Sequence, residues 1–325
     1  MISIYNNIFF DVYNIWHRVF WKNENLTLVG DKKIPLDAVC KFFELTDAYI
    51  SKFGTHDCKV YYLFDNAKSS LLKNRKELDS EYKKNRKLQP DFFYDGLNVV
   101  ELILKFYRDN SVIYRKQNVE ADDFVLPLIN EYIKEHDSVI MFSTDIDWCR
   151  ALLDDEINDV HVVQYTRNNE ILTVKSFEDK FGFKPTVNNI TFWKTFEGDE
   201  SDNILPTLKN YPKLYFKDVI SKYNHVDNFI KDAINGKISY LDMGWIVKIK
   251  QNSDRMRLNW NLISSKDLSK SELESWEISC SFKSNKLLII YTTLGIIGRF
   301  DKRISVKKPS GDLMDMLNGE VLERA

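Results

Sequence analysis

The stretch SVIMFSTD, residues 138–145, is a run of apolar and β-branched residues that ends in an acid. A short run of this composition is typical of a buried strand. The same pattern occurs at FFD, which ends in Asp11, and at KVYYLFD, which ends in Asp65. Segments with helical periodicity separate these runs along the chain. We therefore predict an α/β fold with a mostly parallel central sheet and helices on both of its faces.

Acidic residues gather where such a sheet would bring them together. The carboxyl ends of parallel strands meet at one edge, and ligands bind beyond that edge. A further strand leads into NVEADDF, residues 118–124, and the segment FEGDESDN, residues 196–203, supplies two acids on one helical face. The nine candidate metal ligands are Asp11, Asp65, Glu120, Asp122, Asp123, Asp145, Asp147, Asp199 and Asp202.

The crowding of these acids indicates a metal site. A single acid after a strand is most often a helix N-cap, and the acids of NVEADDF alone would suit a solvated first helical turn. Capping does not explain three carboxylates within four positions, because like charges at this spacing repel one another. Oxygen ligands without a neighbouring His or Cys suit Mg²⁺ or Mn²⁺. We predict two such ions, which together can clamp the attacking and leaving oxygens of a phosphodiester.

A basic stretch lies between the acids, from Lys68 to Lys87, with eight positive and three negative side chains. Such a run by itself is typical of a solvated helix face. Its place directly after Asp65 favours a cationic segment that holds a substrate by its phosphates. One aromatic residue in this run, Tyr82, would either stack on a base or pack in the core. The candidate nucleic-acid contacts are Lys68, Lys73, Arg75, Lys76, Tyr82, Lys84 and Lys87.

The overall composition excludes several classes of protein. The 325 residues carry a net charge of −2, which by itself favours no nucleic-acid partner. The four cysteines form no CxxC pair and the five histidines show no ligand spacing, so neither a zinc site nor a disulfide framework is indicated. The N-terminus lacks a signal-peptide pattern, and no apolar run reaches the roughly 18 residues of a membrane span. We expect a cytoplasmic protein without membrane contact.

Five blocks of the sequence resemble, in order, the motifs of the 5′-nuclease superfamily. This superfamily includes flap endonucleases, the 5′-exonuclease domain of bacterial DNA polymerase I and phage ribonuclease H. The motifs DNAKS and YKKNR are most similar to the phage ribonuclease H branch. The resemblance covers about residues 1–230. The blocks are DVYNIWHR, FDNAKSSLLKNRKELDSEYKKNR, VEADDF, STDIDW and FGFKPTVNNITFWKTFEGDESDNILP.

The resemblance implies a PIN-like nuclease core over residues 1–195, with a basic helical arch at about 66–95, and a mainly helical region over 196–325. It also implies a Mg²⁺-dependent 5′–3′ exonuclease or flap endonuclease, with ribonuclease H-type activity in addition. The expected substrates are branched or 5′-ended DNA and RNA/DNA duplexes, as in primer removal during phage-type replication. The location would then be the host cytoplasm.

The resemblance also implies a role for each site residue. A first metal would be held or oriented by Asp11, Asp65, Glu120, Asp122 and Asp123, and a second by Asp145, Asp147, Asp199 and Asp202, in part through water. Lys83 and Arg86 on the arch, together with Arg18, would be the catalytic residues that contact the scissile phosphate.

The chain departs from the superfamily in its helix-hairpin-helix element, expected at about 196–225. The superfamily has a Gly-rich hairpin there, whereas this chain reads ILPTLKNYPK without glycine. The missing glycines argue against a potassium site, because such turns let backbone N–H groups approach an ion or phosphate closely. Lys209, Lys213 and Lys217 are candidate contacts to duplex DNA, or else ordinary surface lysines.

Two other functions stay open at this point. The chain could be a non-catalytic, structure-specific nucleic-acid-binding protein that retains the fold. It could also be a sugar-nucleotide transferase with Asp145-Ile146-Asp147 as a metal-binding DxD motif, although this would leave Asp11 and Asp65 unexplained. The candidate protein partners are a single-strand-binding protein, a clamp or a polymerase, and the sequence does not choose among them.

Overall fold

The centre of the computed structural model is one eight-stranded sheet, and the structure describes residues 4–23, 25–65, 73–166, 168–299, 301 and 303. The strands are β1 (Tyr5–Asp11), β2 (Thr27–Val29), β3 (Lys32–Ile34), β4 (Gly54–Leu63), β5 (Ser111–Tyr114), β6 (Ser138–Phe142), β7 (Leu153–Asp155), β8 (Val160–Tyr165), β9 (Ile171–Leu172) and β10 (Glu277–Ser279). The sheet has the order β10-β5-β4-β1-β6-β8-β7, with β9 beside β8, and β2 and β3 form a separate hairpin.

Five neighbouring strands of this sheet run parallel. They are β5, β4, β1, β6 and β8, whereas β7, β9 and β10 are antiparallel to their partners. In the register of the sheet, Phe10 faces Tyr62 on one side and Phe142 on the other. The carboxyl ends of β1, β4 and β6 therefore lie level with one another. The acids that follow these strands consequently emerge at one edge.

Helices cover both faces of the sheet, which confirms the predicted architecture. Side chains alternate across a strand, so Phe10 and Tyr62 pack in one apolar layer, and Phe9 and Tyr61 pack in the other. The helices are α1 (Val12–Phe20), α2 (Leu36–Phe53), α3 (Lys73–Leu78), α4 (Asp91–Tyr107), α5 (Ala121–Tyr132), α6 (Val174–Phe181), α7 (Val187–Glu197), α8 (Lys213–Lys222), α9 (Val226–Ile234), α10 (Met243–Ile263), α11 (Lys270–Trp276) and α12 (Ser284–Leu294).

The two layers draw on different parts of the chain. The Phe10 layer contains buried residues of α1, α2, α4 and α12. The Phe9 layer contains buried residues of α5 and of the helices from α6 to α11. The C-terminal region thus contributes helices to both layers, and it also adds β10 to the edge of the sheet. The predicted boundary at 195/196 stays a prediction.

Part of the segment predicted as a basic arch lies within the described residues. Of the residues described between Asp65 and the start of α4, those of α3 are helical, and turns and irregular chain follow them. The prediction for Lys68 lies outside the described residues, as does the side chain of Lys73. Among the helices that the structure describes, none is long and apolar enough to cross a membrane.

Candidate active site

Eight of the nine predicted acids line two adjoining spaces at the carboxyl edge of the sheet. One is a narrow polar cavity of about 20 Å³, which is room for roughly one water or ion. The other is an open groove of about 770 Å³, and Asp145 lines both spaces. The cavity is lined by Glu120, Asp122, Asp145, Asp147, Asp199 and Asp202, and the groove by Asp11, Asp65 and Asp145.

Asp11 and Asp65 are held by the elements that their strands lead into. Asp11 is the N-cap of α1 and accepts hydrogen bonds from the Asn14 N–H (3.0 Å) and the Ser143 hydroxyl (2.7 Å). Burial, and next the negative charge of Asp65, raise the pKa of Asp11 well above its usual range. Asp65 accepts a hydrogen bond from the N–H of Ala121 (2.7 Å), the first residue of α5. The end of β4 is thereby tied to the acids that begin α5.

The acids at the start of α5 combine helix capping with mutual repulsion. Glu120 is the N-cap and forms a capping box with Asp123, which is completely buried. Carboxylate oxygens of Glu120, Asp122 and Asp123 lie within 4.8 Å of one another. Burial, and next the charge of Asp123, raise the pKa of Asp122 to about 7. The capping explanation therefore holds for Glu120 and Asp123, and it leaves the proximity of the Asp122 carboxylate unexplained.

The remaining acids lie on two short 3₁₀ helices. Asp145 caps the first, Ile146–Ala151, and burial together with the charge of Asp147 raises the pKa of Asp145 to about 6. Asp199 caps the second, Glu200–Asp202, by accepting a hydrogen bond from the Ser201 N–H (3.0 Å).

The turn that carries Asp199 is fixed at both of its ends by α10. The buried amide of Asn259 donates hydrogen bonds to the backbone carbonyls of Thr195 (3.2 Å) and Leu205 (2.8 Å). These two carbonyls bracket Asp199 and Asp202. The position of both acids therefore depends on a helix that begins about forty residues later in the chain.

Two buried cations that the sequence did not single out accompany these acids. The Lys194 Nζ lies 2.6 Å from the Asp147 Oδ2 and 2.7 Å from the Asp199 Oδ2. The guanidinium of Arg150 lies 2.9 Å from the other oxygen of Asp147. Although burial opposes ionisation, Arg150 and Lys194 lower the pKa of Asp147 to about 2. The sequence contains one indication of the Lys194 contact: Lys194 lies only five residues before the predicted metal ligand Asp199.

The basic segment packs directly over the acids. Arg75 pairs with Glu120 and lies 2.9 Å from the Oδ1 of Asp123. Lys83 also pairs with Glu120, and its backbone N–H donates to the Asp202 carbonyl (2.8 Å). The Arg86 guanidinium lies 2.6 Å from the Asp202 carboxylate. Three separate parts of the sequence therefore meet at Glu120 and Asp202.

Tyr82 and Arg75, two predicted nucleic-acid contacts, are buried against the acids. The Tyr82 ring is 1% exposed, so it cannot stack on a base in this conformation. Its hydroxyl lies 3.1 Å from the Glu120 carboxylate and 3.2 Å from that of Asp202. Arg75 is likewise buried against the acids. The reason in both cases is that the carboxylates attract nearby donors more strongly than solvent does once water is excluded.

The other predicted contacts lie at the surface. Arg18, Arg86 and Lys87 line the groove together with the aromatic face of α1. Lys84 is exposed and pairs with Glu81 (2.7 Å). Lys76 is partly buried on α3, and Lys209, Lys213 and Lys217 are exposed around the start of α8. Between α7 and α8, Asn203 and Asn210 adopt the left-handed backbone conformation.

Comparison with known proteins connects this arrangement to a family. The model of the family 5′–3′ exonuclease, N-terminal resolvase-like domain, matches residues 6–182, which is more than half of the 325 residues. That stretch contains seven of the nine acids and the described part of the basic segment. Among curated proteins, none matches the sequence.

Solved structures of a bacteriophage T5 protein have the same fold. One, co-crystallised with metal ions, has 17% identity and a TM-score of 0.58, over 92% of this chain and 98% of that chain. A T5 flap endonuclease in a pseudo-enzyme-product complex with DNA and metal ions has 17% identity and a TM-score of 0.54, over 98% of each chain. T5 5′-exonuclease with bound zinc has 17% identity and a TM-score of 0.55, over 92% of this chain and 98% of that chain. At this identity, the similarity shows a common fold.

Proposed function

The chain belongs to the 5′–3′ exonuclease family, and from this premise we propose that it is a divalent-metal-dependent 5′-nuclease. It hydrolyses phosphodiester bonds at 5′ ends and flaps of DNA or of RNA/DNA duplexes. The observation that carries the proposal is the convergence of eight acids, from five parts of the sequence, on one cavity and its adjoining groove.

The donor set of the site suits hard divalent ions. Every predicted ligand is a carboxylate, and oxygen-only sites favour Mg²⁺ or Mn²⁺ over softer metals. The raised pKa values of Asp11, Asp122 and Asp145 show that these carboxylates lack full compensation by neighbouring cations. A divalent ion would supply the missing positive charge. Asp11, Asp65, Glu120, Asp122 and Asp123 would hold or orient a first ion, and Asp145, Asp147, Asp199 and Asp202 a second.

Divalent ions at such a site promote the attack of water on phosphorus and neutralise charge on the leaving oxygen. The basic residues of the chain would do the rest. Arg18, Arg86 and Lys87 line the groove, where they would hold the phosphates on either side of the scissile bond. Lys83 is buried against Glu120, so it reaches a phosphoryl oxygen only by exchanging this carboxylate for the phosphate. It would then neutralise charge that develops in the transition state.

Two features support nucleic acid as the substrate. The groove is lined by acids together with arginine and lysine, which suits a phosphate backbone that is cut at one position. The structures with the same fold include a T5 flap endonuclease with DNA and metal ions. Lys209, Lys213 and Lys217 would contact the duplex part of the substrate, and primer removal in a phage-type replication system is the corresponding role. Ribonuclease H-type activity follows if RNA enters the same groove.

Cleavage of a labelled 5′-flap duplex tests this proposal. We expect short 5′ products with Mg²⁺ or Mn²⁺ and none with EDTA. Flap, nicked and RNA-primed duplexes then give the product lengths that distinguish exonuclease from endonuclease action. Tight binding without product would identify a non-catalytic binding protein and would contradict the proposal.

The Asp145→Asn variant separates catalysis from binding. It removes one carboxylate charge where the cavity and the groove meet. We expect cleavage to fall by at least about a thousandfold while the affinity for the flap duplex, measured in Ca²⁺ by fluorescence anisotropy, stays within about threefold. Asp179→Asn, which makes the same change at an exposed position on α6, is the matched control. Normal turnover of Asp145→Asn would contradict the assigned role.

A further inference from the structure

The acids of the candidate site differ in how they are compensated by protein cations. Asp147, Asp199 and Asp202 each lie within 4.0 Å of a Lys or Arg nitrogen. Among the described residues, no Lys or Arg nitrogen lies that close to Asp11, Asp65, Asp122 or Asp145. Glu120 and Asp123 also have cations beside them, namely Arg75 and Lys83. The site is therefore divided into one group of carboxylates with built-in cations and one group without them.

Lys194 is the cation at the centre of the compensated group. Its side chain is 6% exposed, and its ammonium bridges Asp147 and Asp199 at 2.6 and 2.7 Å. Asp147 also contacts the buried Arg150. Two positive charges therefore face Asp147 from the protein itself. A structural role alone explains Lys194 poorly, because a buried ion pair is on average no more stabilising than well-packed apolar residues.

We propose that Lys194 sets the affinity of the site for its second divalent ion. The ammonium occupies two of the carboxylates on which that ion depends. The first ion, whose proposed ligands include the uncompensated Asp11, Asp65 and Asp122, therefore binds tightly, and the second binds weakly in the absence of substrate. A substrate phosphate brings negative charge to the same place and lets the second ion bind. This inference rests on the metal-dependent function proposed above.

The electrostatic argument follows from distance and burial. An ammonium within hydrogen-bonding distance of both carboxylates cancels one unit of their charge, and it repels a doubly charged ion a few ångströms away. Solvent screens this repulsion little, because Lys194 and Asp147 are both largely buried. The effect requires the charge of the side chain and not its shape.

Titration of metal-free protein with Mn²⁺, without nucleic acid, tests the proposal. Calorimetry gives the dissociation constants and electron paramagnetic resonance counts the bound ions. In wild type we expect one tight and one weak ion. Lys194→Met should tighten the second ion at least about tenfold, because the competing ammonium is gone, while Lys194→Arg keeps a weak second ion. Lys175→Met removes an exposed lysine on α6 and should leave both constants unchanged. A second constant in Lys194→Met within about twofold of wild type would overturn the proposal.

A measurement on wild type covers the case in which Lys194→Met does not fold. The ¹⁵N signal of the Lys194 ammonium is assigned by its loss in Lys194→Arg and is followed during addition of Mg²⁺. We expect the signal to shift with the second ion and not with the first. A signal that follows the first ion, or neither, overturns the inference. If the wild-type protein binds no divalent ion, both the proposed function and this inference are overturned. If Lys194→Met binds two ions with the same affinities as wild type, this inference alone is overturned.

Discussion

At the scale of single residues, Asp122 shows what the acid site contributes to stability. Its carboxylate faces Asp123, Asp147 and Asp145, and its pKa is raised to about 7. An Asp in an unfolded chain ionises near pH 4. Above about pH 4, the carboxyl group of Asp122 therefore loses its proton more readily in the unfolded chain than in the folded protein. Asp122 therefore lowers the free energy of unfolding progressively from about pH 4 to about pH 7, and its effect is constant above that range.

Replacement of Asp122 by Asn tests this assignment. In EDTA at pH 8, we expect Asp122→Asn to raise the free energy of unfolding by about 1–3 kcal/mol, because the repulsion is removed. The gain should shrink below pH 7 and vanish near pH 4. Urea unfolding at a series of pH values measures it, with Asp179→Asn as the control of equal charge. A variant that is less stable than wild type at pH 8 would show that Asp122 is already compensated.

At the scale of elements, the turn between α7 and α8 depends on Gly198. This residue has a φ of +76°, and a Cβ there would lie 2.5 Å from the Ile204 carbonyl oxygen and 2.7 Å from the Pro206 nitrogen. No side chain avoids both contacts, because each partner belongs to the backbone. The close approach pairs Asp199 with Ile204 and thereby positions the acids of the second group.

Gly198→Ala should therefore lower stability and activity together. We expect a loss of at least about 2 kcal/mol in urea unfolding, together with a large loss of flap cleavage. Gly236 is the matched control, because its φ of +69° is similar and no atom lies within 4 Å of a Cβ there. Gly236→Ala should lose only about 1 kcal/mol and keep its activity. Equal effects of the two substitutions would mean that backbone conformation matters and the close approach does not.

The elements also show where sequence reasoning reaches its limit. The strands and the acids after them were predictable, because apolar runs and carboxyl-end placement are local features. Asn259 and the contact of Lys194 with Asp147 were not, since only the folded chain brings these partners near. Arg75 was assigned to nucleic acid on the net charge of its segment, although it is buried against acids from other parts of the chain. For Tyr82 the sequence left both stacking on a base and packing in the core open, and its ring is buried. Charge along the sequence does not show which side chains of a basic segment face solvent.

At the scale of the whole molecule, the net charge of −2 conceals local groups of both charges. In the groove, Arg18, Arg86 and Lys87 lie among the same lining residues as Asp11, Asp65 and Asp145, and in the cavity six carboxylates meet Arg75, Lys83 and Lys194. A phosphate backbone is attracted to the basic residues of the groove and is repelled by its acids until cations compensate them. Substrate binding and ion binding should therefore strengthen each other.

The C-terminal region pairs with and packs on the sheet, and we expect the two to unfold as one cooperative unit. β10 pairs with the edge strand β5, and the Cys280 N–H extends this pairing by donating to the Ser111 carbonyl (2.9 Å). α12 buries Leu287, Tyr291 and Leu294 in the layer that contains α4. Without these elements, β5 would become an unpaired edge beside an uncovered apolar layer, and such edges promote aggregation.

Truncation of the chain tests this unity. A chain that ends at residue 264 should aggregate or lose its cooperative thermal transition, since it lacks both β10 and α12. A chain that ends at residue 303 keeps every contact that the structure describes, and its melting temperature should stay within about 4 °C of the full-length value. Circular dichroism and light scattering on the two purified chains measure these outcomes. A 264-residue chain that melts cooperatively and still cleaves flaps would instead make the last strand and helix a separate unit, appended to a complete nuclease.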